Sequence, residues 1–319
     1  MRLQPEHLAT LLAIVDTGTF DAAARRLHLT PSAVSQRVKA LEAEVGQVVV
    51  VRSTPCRATS AGEALVRLAR QQGLLESEAL AGLVTDGRSR VDLPIVVSAD
   101  SMSTWFGAVL TEAAEWEDVV LRLRVEDQDH SARLLRSGEV LAAVTSDPTP
   151  VQGCSTEPLV TMRYLPAAAP QLVERHRAGR GFDWGAMPLV RFNDKDDIQQ
   201  RILERHGVTG SPPTHEVPDG GGFVTAVRSG LGWGALLTTQ LAPLLDAGEL
   251  VRLGSRDHVD VPLYWQRWRL PSAHLDRLSE SVRTAASSAA PRRPTARRPT
   301  ARRSTAPRPA TPATRHTPR

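Results

Sequence analysis

Between Thr30 and Lys39 the chain reads Thr-Pro-Ser-Ala-Val-Ser-Gln-Arg-Val-Lys, and at helical spacing Ser32, Ser35, Gln36 and Lys39 lie off the face made by Val34, Val38, Leu41 and Val45. Hydroxyl, carboxamide and ammonium groups placed this way can hydrogen-bond base edges in a DNA groove or reach its phosphates. Thr30 and Pro31 open the same segment, and Arg37, Arg52 and Arg57 add guanidinium groups suited to phosphate. A second polar set comprises Asp100, Ser101, Glu126, Asp127, Thr145, Ser146, Asn193, Asp194 and Asp219. Each follows a stretch that reads as a strand, and open α/β sheets hold ligands at the carboxyl ends of their strands. The set is rich in carboxylates, so a cleft lined by it suits a cation. Taken singly, each acid is an ordinary loop residue or helix cap, and Asp196 and Asp197 read as caps of the helix they open; the cluster as a whole carries the expectation.

Other chemistry finds little support. The sequence contains no phosphate loop, dinucleotide fingerprint, metal-ligand spacing or nucleophile elbow, so neither catalysis nor a cofactor or metal is expected. Gly220-Gly221-Gly222 reads as a loop before a helix, and His176, His206 and His215 as scattered surface residues. Cys56 and Cys154 read as buried or idle thiols.

Positioning the first polar set takes a compact head. Leu8, Leu11, Leu12 and Val15 predict a helix that Gly18 breaks, and Asp21 reads as the cap of a second that runs through Leu27. After a turn at His28-Leu29, Thr30 caps a third helix with Pro31 at its first position, where a missing N–H costs nothing; Gly46 ends it. Four consecutive valines within Gln47–Arg52 predict a strand of a β wing, turned by Pro55. Helix, turn, helix and wing within sixty residues is an arrangement that places the second helix of the pair in the major groove.

Thr59 or Ser60 then caps a long helix over about 61–84, with Leu65, Leu68, Leu75 and Ala79 near heptad spacing, weakened by Gln72 and Gly73. A solitary amphipathic helix of this length calls for a partner, so a homodimer is expected. Residues 85–92 read as a linker. Beyond it, strand-like runs near 93–97, 119–125, 141–145, 188–192, 214–217, 233–237 and 261–268 alternate with helical runs near 104–115, 130–137, 170–178, 196–206, 222–230 and 272–285. That alternation predicts parallel sheets with helices on both faces, and the length favours two small α/β lobes. Trp105 and Phe223 read as core residues, and the aromatics of Tyr264–Trp268 as packing on a strand between the lobes.

The formal charge of +4 conceals a division. Nine arginines and no acid follow residue 290; the rest carries thirty basic side chains against 35 acidic ones, while the first sixty residues are mildly basic. A basic head on an acidic body suits a DNA reader joined to a sensor that does not touch DNA. No apolar run approaches the span of a bilayer, and the N-terminal stripe, flanked by Glu6, His7 and Asp16, does not read as an export signal, so a cytoplasmic location without membrane contact is expected. The tail, with its near-repeat Arg-Arg-Pro-Thr-Ala, cannot bury enough apolar surface to fold. Three readings of it stand open: an arm for nucleic acid, an appendage without function, or a product of GC-rich coding.

The run Phe20-Asp21-Ala22-Ala23-Ala24 through Leu27, then Thr30-Pro31-Ser32-Ala33-Val34-Ser35-Gln36-Arg37-Val38 to Leu41-Glu42 and Gly46, with Arg52, Thr59 and Gly62, resembles the head of LysR-type transcription regulators. Val49-Val50 stands where most members have Leu-Phe, a departure that bears on packing under the wing. Further on, Ala99–Trp105, Val125-Glu126-Asp127, Arg136–Val140, Phe192–Asp197 and Leu263-Tyr264-Trp265 with Arg267 are similar to the ArgP/LysG (chromosome-initiation inhibitor) branch, which responds to basic amino acids. The resemblance covers about residues 3–285; the tail has no counterpart in it.

The resemblance implies an α/β architecture with an N-terminal all-α winged helix-turn-helix and a two-lobed, periplasmic-binding-protein-like sensor domain. The corresponding boundaries are 1–60 for the head, 61–90 for a dimerisation helix and 91–286 for the sensor, with 287–319 as an unfolded tail. Its first lobe would take about 91–162 and 264–286, and its second about 163–263. Implied partners are double-stranded DNA, a lysine or arginine effector, one or three further copies of the chain, and RNA polymerase. The ligand's cation would meet the acids, and its carboxylate the hydroxyl of Ser101 and an N–H at the start of the 102–115 helix. Two readings compete: a solute-binding receptor, opposed by the fused head and the missing export signal, and a nucleoid-type DNA-binding protein without effector control.

Overall fold

A computed structural model describes residues 3–83, 90–126 and 128–289. The head consists of α1 (Pro5–Thr17), α2 (Phe20–Leu27), α3 (Pro31–Val45) and a short antiparallel pair, β1 (Val50–Val51) and β2 (Arg57–Ala58). Leu8, Leu11 and Ile14 of α1 interlock with Val34, Val38 and Leu41 of α3 in one buried cluster. Thr30 Oγ1 accepts from the Ala33 N–H at 3.2 Å, capping α3 behind Pro31, and Gly46 ends it in the left-handed region (φ 71°). The cap of α2 is Thr19, whose hydroxyl accepts from the Ala22 N–H, and not Asp21, which lies exposed inside the helix. The wing strand is shorter than its four valines predict. Val49 and Val50 are buried, the paired strand covers two residues only, and one further bond, from the Thr59 N–H to the Val49 carbonyl, continues toward α4.

Helix α4 (Ser60–Leu83) connects the two parts of the molecule. Thr59 caps it, accepting from the Gly62 N–H at 3.1 Å while donating to the Val48 carbonyl. Val66 and Ala69 complete the core of the head, and Leu74 enters the core of the following domain. Leu75 and Ala79, two of the residues at heptad spacing, are exposed, whereas Leu65 and Leu68 pack against the head.

The following domain is mixed α/β. Its first half holds β3 (Val91–Val97), α5 (Ala99–Ser103), α6 (Gly107–Ala113), β4 (Val119–Val125), α7 (Gln128–Ser137) and β5 (Ala142–Thr145). Strand β6 (Cys154–Ala168) leads to the second half: α8 (Pro170–Arg175), β7 (Arg177–Ala178), β8 (Gly181–Phe182), β9 (Leu189–Arg191), α9 (Ile198–Arg205), β10 (Thr214–Glu216), α10 (Gly220–Arg228), β11 (Gly234–Leu237), α11 (Thr238–Asp246) and β12 (Val251–Arg252). Strand β13 (Val259–Trp268) returns, and α12 (Ala273–Ala289) closes the described chain.

As the alternation predicts, β3 pairs in parallel with β4 and β5, and β9 with β10. What joins the halves differs from expectation. The fifteen residues of β6, not recognised as a strand from sequence, run antiparallel to β13 through both halves, giving one sheet in the order β11-β6-β13-β5-β3-β4 with β12 also on β6. Pro158 and Pro166 obscure the strand signal of β6. The register slips by one residue beside Pro158, where Leu263 faces Val160 and Tyr264 faces Pro158; such bulges are where a strand tolerates proline. Two helices also differ from expectation. The run near 104–115 forms only the seven residues of α6, with a separate short α5 before it, and α11, with Pro243 inside it, has no counterpart among the helical runs read from sequence. Trp265 is fully buried and donates its indole N–H to Ser279 Oγ, anchoring α12 on the sheet. No helix among the described residues is long and apolar enough to cross a membrane. Asp127 and the tail from residue 290 lie outside the described residues.

Candidate functional site

On the head, Val34, Val38 and Leu41 turn inward, which leaves Thr30, Pro31, Ser32, Gln36 and Lys39 exposed and Ser35 and Arg37 half-buried along the free side of α3. Thr30 and Ser32 hydroxyls lie 3.1 Å apart at its N-terminal end. Arg52, exposed in the wing, stacks its guanidinium 4.7 Å above the centre of the Phe20 ring, which restrains the side chain while leaving its charge facing outward.

A cavity of about 630 Å³ lies between the two halves of the α/β domain, within the range of small-molecule sites. Its first wall is built from the ends of β3, β4 and β5: Ser98, Asp100, Glu126, Thr145 and Ser146, with Ser131 from α7. Its second wall comes from the loop after β9 and from α10, including Asn193, Lys195, Asp196 and Phe223. Tyr164 and Leu263, on the crossing strands, complete it.

Two carboxylates dominate the electrostatics. Asp100 Oδ2 accepts a 2.5 Å hydrogen bond from the Tyr164 hydroxyl, and Asp196 accepts from the backbone N–H groups of Phe192 (2.9 Å) and Ile198 (3.1 Å). Burial raises the Asp100 pKa; the Tyr164 bond opposes the rise and the charge of Asp196 adds to it. Burial likewise raises Asp196 against its two backbone donors. Burial and the neighbouring Asp100 push the Tyr164 phenol well above its ordinary value, so it remains a donor at all working pH values. The cavity thus holds two acids, one on each wall, whose ionisation burial opposes, with Lys195 and Arg201 also on its lining. Asp197 also lines it but is paired with Arg201 at 2.8 Å.

Of the residues expected from sequence, Asp100, Glu126, Thr145 and Asn193 line the cavity. Ser101 does not: it is fully buried and its Oγ accepts from Ser98 Oγ at 2.9 Å, which leaves Ser98 on the wall in its place. Asp194 is exposed beside the cavity, and Asp219 caps α10 by accepting from the Gly222 N–H. By sequence Asp196 is a helix cap. It does accept the Ile198 N–H, yet it also faces the cavity, since one carboxylate can serve both. Tyr164 and Ser131 line the cavity as well, with no signal in the sequence that marks them. Phe223 lines the wall and joins the core, while Trp105 is core alone.

Residues 5–63 match the model of the bacterial regulatory helix-turn-helix protein, lysR family, and residues 86–287 that of the LysR substrate binding domain. The chain is 47% identical to the lysine export transcriptional regulatory protein LysG of Corynebacterium glutamicum over 287 residues, covering 89% of this chain and 98% of that protein. The structure superimposes on that of ArgP from Mycobacterium tuberculosis with a TM-score of 0.83 at 49% identity, covering 90% and 98% of the two chains. It also matches full-length LysG from Corynebacterium glutamicum with bound effector Arg, at a TM-score of 0.80 and 46% identity over 90% and 99%. With residues 5–63 matching the family's helix-turn-helix and residues 86–287 its substrate binding domain, this chain belongs to the LysR family of bacterial transcription regulators.

Proposed function

We propose that this regulator binds free arginine or lysine in the cavity between the lobes and that the bound amino acid controls its contacts with DNA. The observation that carries this reading is the placement of Asp100 and Asp196 on opposite walls, two half-buried carboxylates whose pKa values burial raises. A guanidinium or ammonium between them offsets the cost of burying both carboxylates, so binding the cation stabilises both walls in one arrangement. The hydroxyls of Ser98 and Thr145 are placed to accept the polar end of the same ligand. The relative with bound arginine supports the same ligand class.

Two copies pair along the exposed leucines of α4, and their α3 helices enter successive major grooves of an inverted repeat. The regulated genes serve export or metabolism of basic amino acids, in line with the name of the relative LysG, and the switch acts in the cytoplasm on DNA and RNA polymerase. A thermal-shift panel of all common amino acids tests the reading. At a hundred times the dissociation constant a ligand stabilises the folded state by about 2.7 kcal/mol. Selective stabilisation by arginine or lysine is expected; a response confined to neutral or anionic metabolites sinks the assignment and leaves a LysR regulator with another effector. No response to any small molecule, with salt-steep and sequence-blind DNA binding, favours a nucleoid-type role.

A further inference from the structure

Helix α4 is held to both ends of the molecule by one side chain. Arg70, largely buried, donates through one terminal nitrogen to Asp16 Oδ1 on α1 of the head (2.5 Å) and through the other to the Ser137 carbonyl (2.8 Å). One turn earlier, Arg67 donates to the Arg136 carbonyl at 3.1 Å. Those carbonyls belong to the last turn of α7, where a helix leaves acceptors without internal donors and where cations are favoured. Approach is close: Gly138, in the left-handed region just beyond α7, would bring a Cβ within 3.2 Å of the Arg67 Cα.

The other connections of this joint lead to the cavity. Ser131, earlier in α7, lies on its wall. Ser137 Oγ donates to Glu139, whose second carboxylate oxygen accepts from Arg124 at 2.8 Å. Arg124 stands one residue before Val125 and Glu126, which also line the cavity. Against the burial that raises it, the Arg124 and Ser137 bonds and the charge of Arg70 hold the Glu139 carboxyl below its ordinary range. The whole path is therefore a charged, hydrogen-bonded series from the first wall of the cavity to α1. Because α1 and α3 share one core, α3 moves with α1.

We infer that Arg70 is the positioning residue through which occupancy of the cavity sets the orientation of the DNA-reading head. This rests on the effector reading above. A ligand that shifts α7 or the end of β4 displaces the Ser137 carbonyl and Glu139. Arg70 cannot then keep its two acceptors in one geometry, and the head follows or is released. The bidentate guanidinium suits this task, since its two nitrogens hold partners at a fixed mutual angle. Spatial continuity alone does not establish coupling, so the test measures coupling itself.

The experiment uses the full chain, L-arginine as ligand, and a DNA duplex selected by the wild-type chain from a random-sequence pool. Arginine affinity is measured by calorimetry, and duplex affinity with and without saturating arginine. In the wild type, arginine should change duplex affinity by a factor within the usual allosteric range of about 5–150, and in Arg70→Ala that factor should fall to about twofold or less. Arginine affinity without DNA should be unchanged. Asp16→Ala, which removes the acceptor of Arg70 on the head side and leaves α7 intact, should lose the response likewise, so a failure of Arg70→Ala to fold does not shelter the inference. An undiminished factor in either folded variant overturns it. No binding of arginine by the wild type overturns the effector reading, and this inference with it.

Discussion

The Tyr164 hydroxyl reaches Asp100 across 2.5 Å, so a side chain on the long strand between the lobes steers the carboxylate on the first wall of the cavity. The consequence is a linkage between ligand and proton. Burial raises the pKa values of both Asp100 and Asp196, and a bound cation lowers both. Between the ordinary carboxylate value and the raised ones the free chain therefore carries protons that the complex releases. Arginine affinity should rise as pH climbs from the ordinary carboxylate value toward the raised ones and level off above them. Calorimetry in buffers of different ionisation enthalpy reads the released protons. In Tyr164→Phe the bond that favours ionised Asp100 is gone, so the rise should move to higher pH. Affinity that is flat from about pH 4 to 7, without proton release, contradicts the account.

The same acids set a cost on the empty state. With folded-state pKa values raised above the ordinary 3.8, the folded chain binds more protons than the unfolded chain in the window between the two values. Stability without effector accordingly falls as pH rises through that window. Asp100→Asn removes one such group, so the effector-free variant should melt at a higher temperature near neutral pH. Arginine affinity should drop by on the order of tenfold or more, the equivalent of one charge-assisted hydrogen bond. Differential scanning fluorimetry and calorimetry check both halves; a variant that melts lower and still binds arginine normally places the cation elsewhere.

How much of this was readable in advance divides along local and non-local lines. Thr30, Pro31 and Gly46 bound α3 through contacts within one turn, and their chemistry is visible in the residue types. Thr19 and Asp21 are both good caps, and only backbone geometry, extended at Thr19, decides between them. Strand β6 is another matter. Its two prolines argue against a strand until the partner β13 and the bulge beside Pro158 are known, so Tyr164, which β6 positions, stayed out of view. Within the cavity, the choice between Ser98 and Ser101 is one helical turn and depends on which hydroxyl caps α5. Asp196 and Asp219 look alike in sequence, each opening a helix, yet one faces the cavity and the other solvent because the loop after β9 lies on the wall.

On α3, Gln36 and Arg37 project from the free side while Val34 and Val38 hold the core. Gln36→Ala should cost about 1–3 kcal/mol in duplex binding and relax preference at one base position, whereas Arg37→Ala should weaken binding across sequences and flatten the salt slope by about one. Neither should alter arginine affinity. Fluorescence anisotropy over a salt series separates the two. Unchanged duplex affinity in both variants removes α3 from the groove.

Gly62 sits in the first turn of α4, where a Cβ would lie 1.9 Å from the Val49 carbonyl oxygen and 3.2 Å from the Ala58 Cβ. The oxygen is backbone and is already held by the Thr59 N–H, so neither side can yield cheaply. Gly62→Ala should destabilise the head by about 1–3 kcal/mol, despite the higher helix propensity of alanine. Denaturant unfolding checks it. A stabilised variant would mean that the wing moves freely relative to α4.

Leu75 and Leu83, 36% and 78% exposed, fall with Ala79 on one side of α4, while Leu74 turns into the domain's own core. An apolar stripe on a 24-residue helix is costly to leave in water and matches the seam of a paired helix. The wild-type chain should therefore sediment as a dimer or larger assembly, and Leu75→Glu, which opposes two charges across the seam, should shift it toward monomer at micromolar concentration. Arginine affinity should survive, because Leu75 does not line the cavity. Duplex affinity should fall steeply, since a single head loses the effective concentration that its tethered twin supplies. A wild-type monomer, or a Leu75→Glu variant that stays fully dimeric, would move the pairing surface off α4.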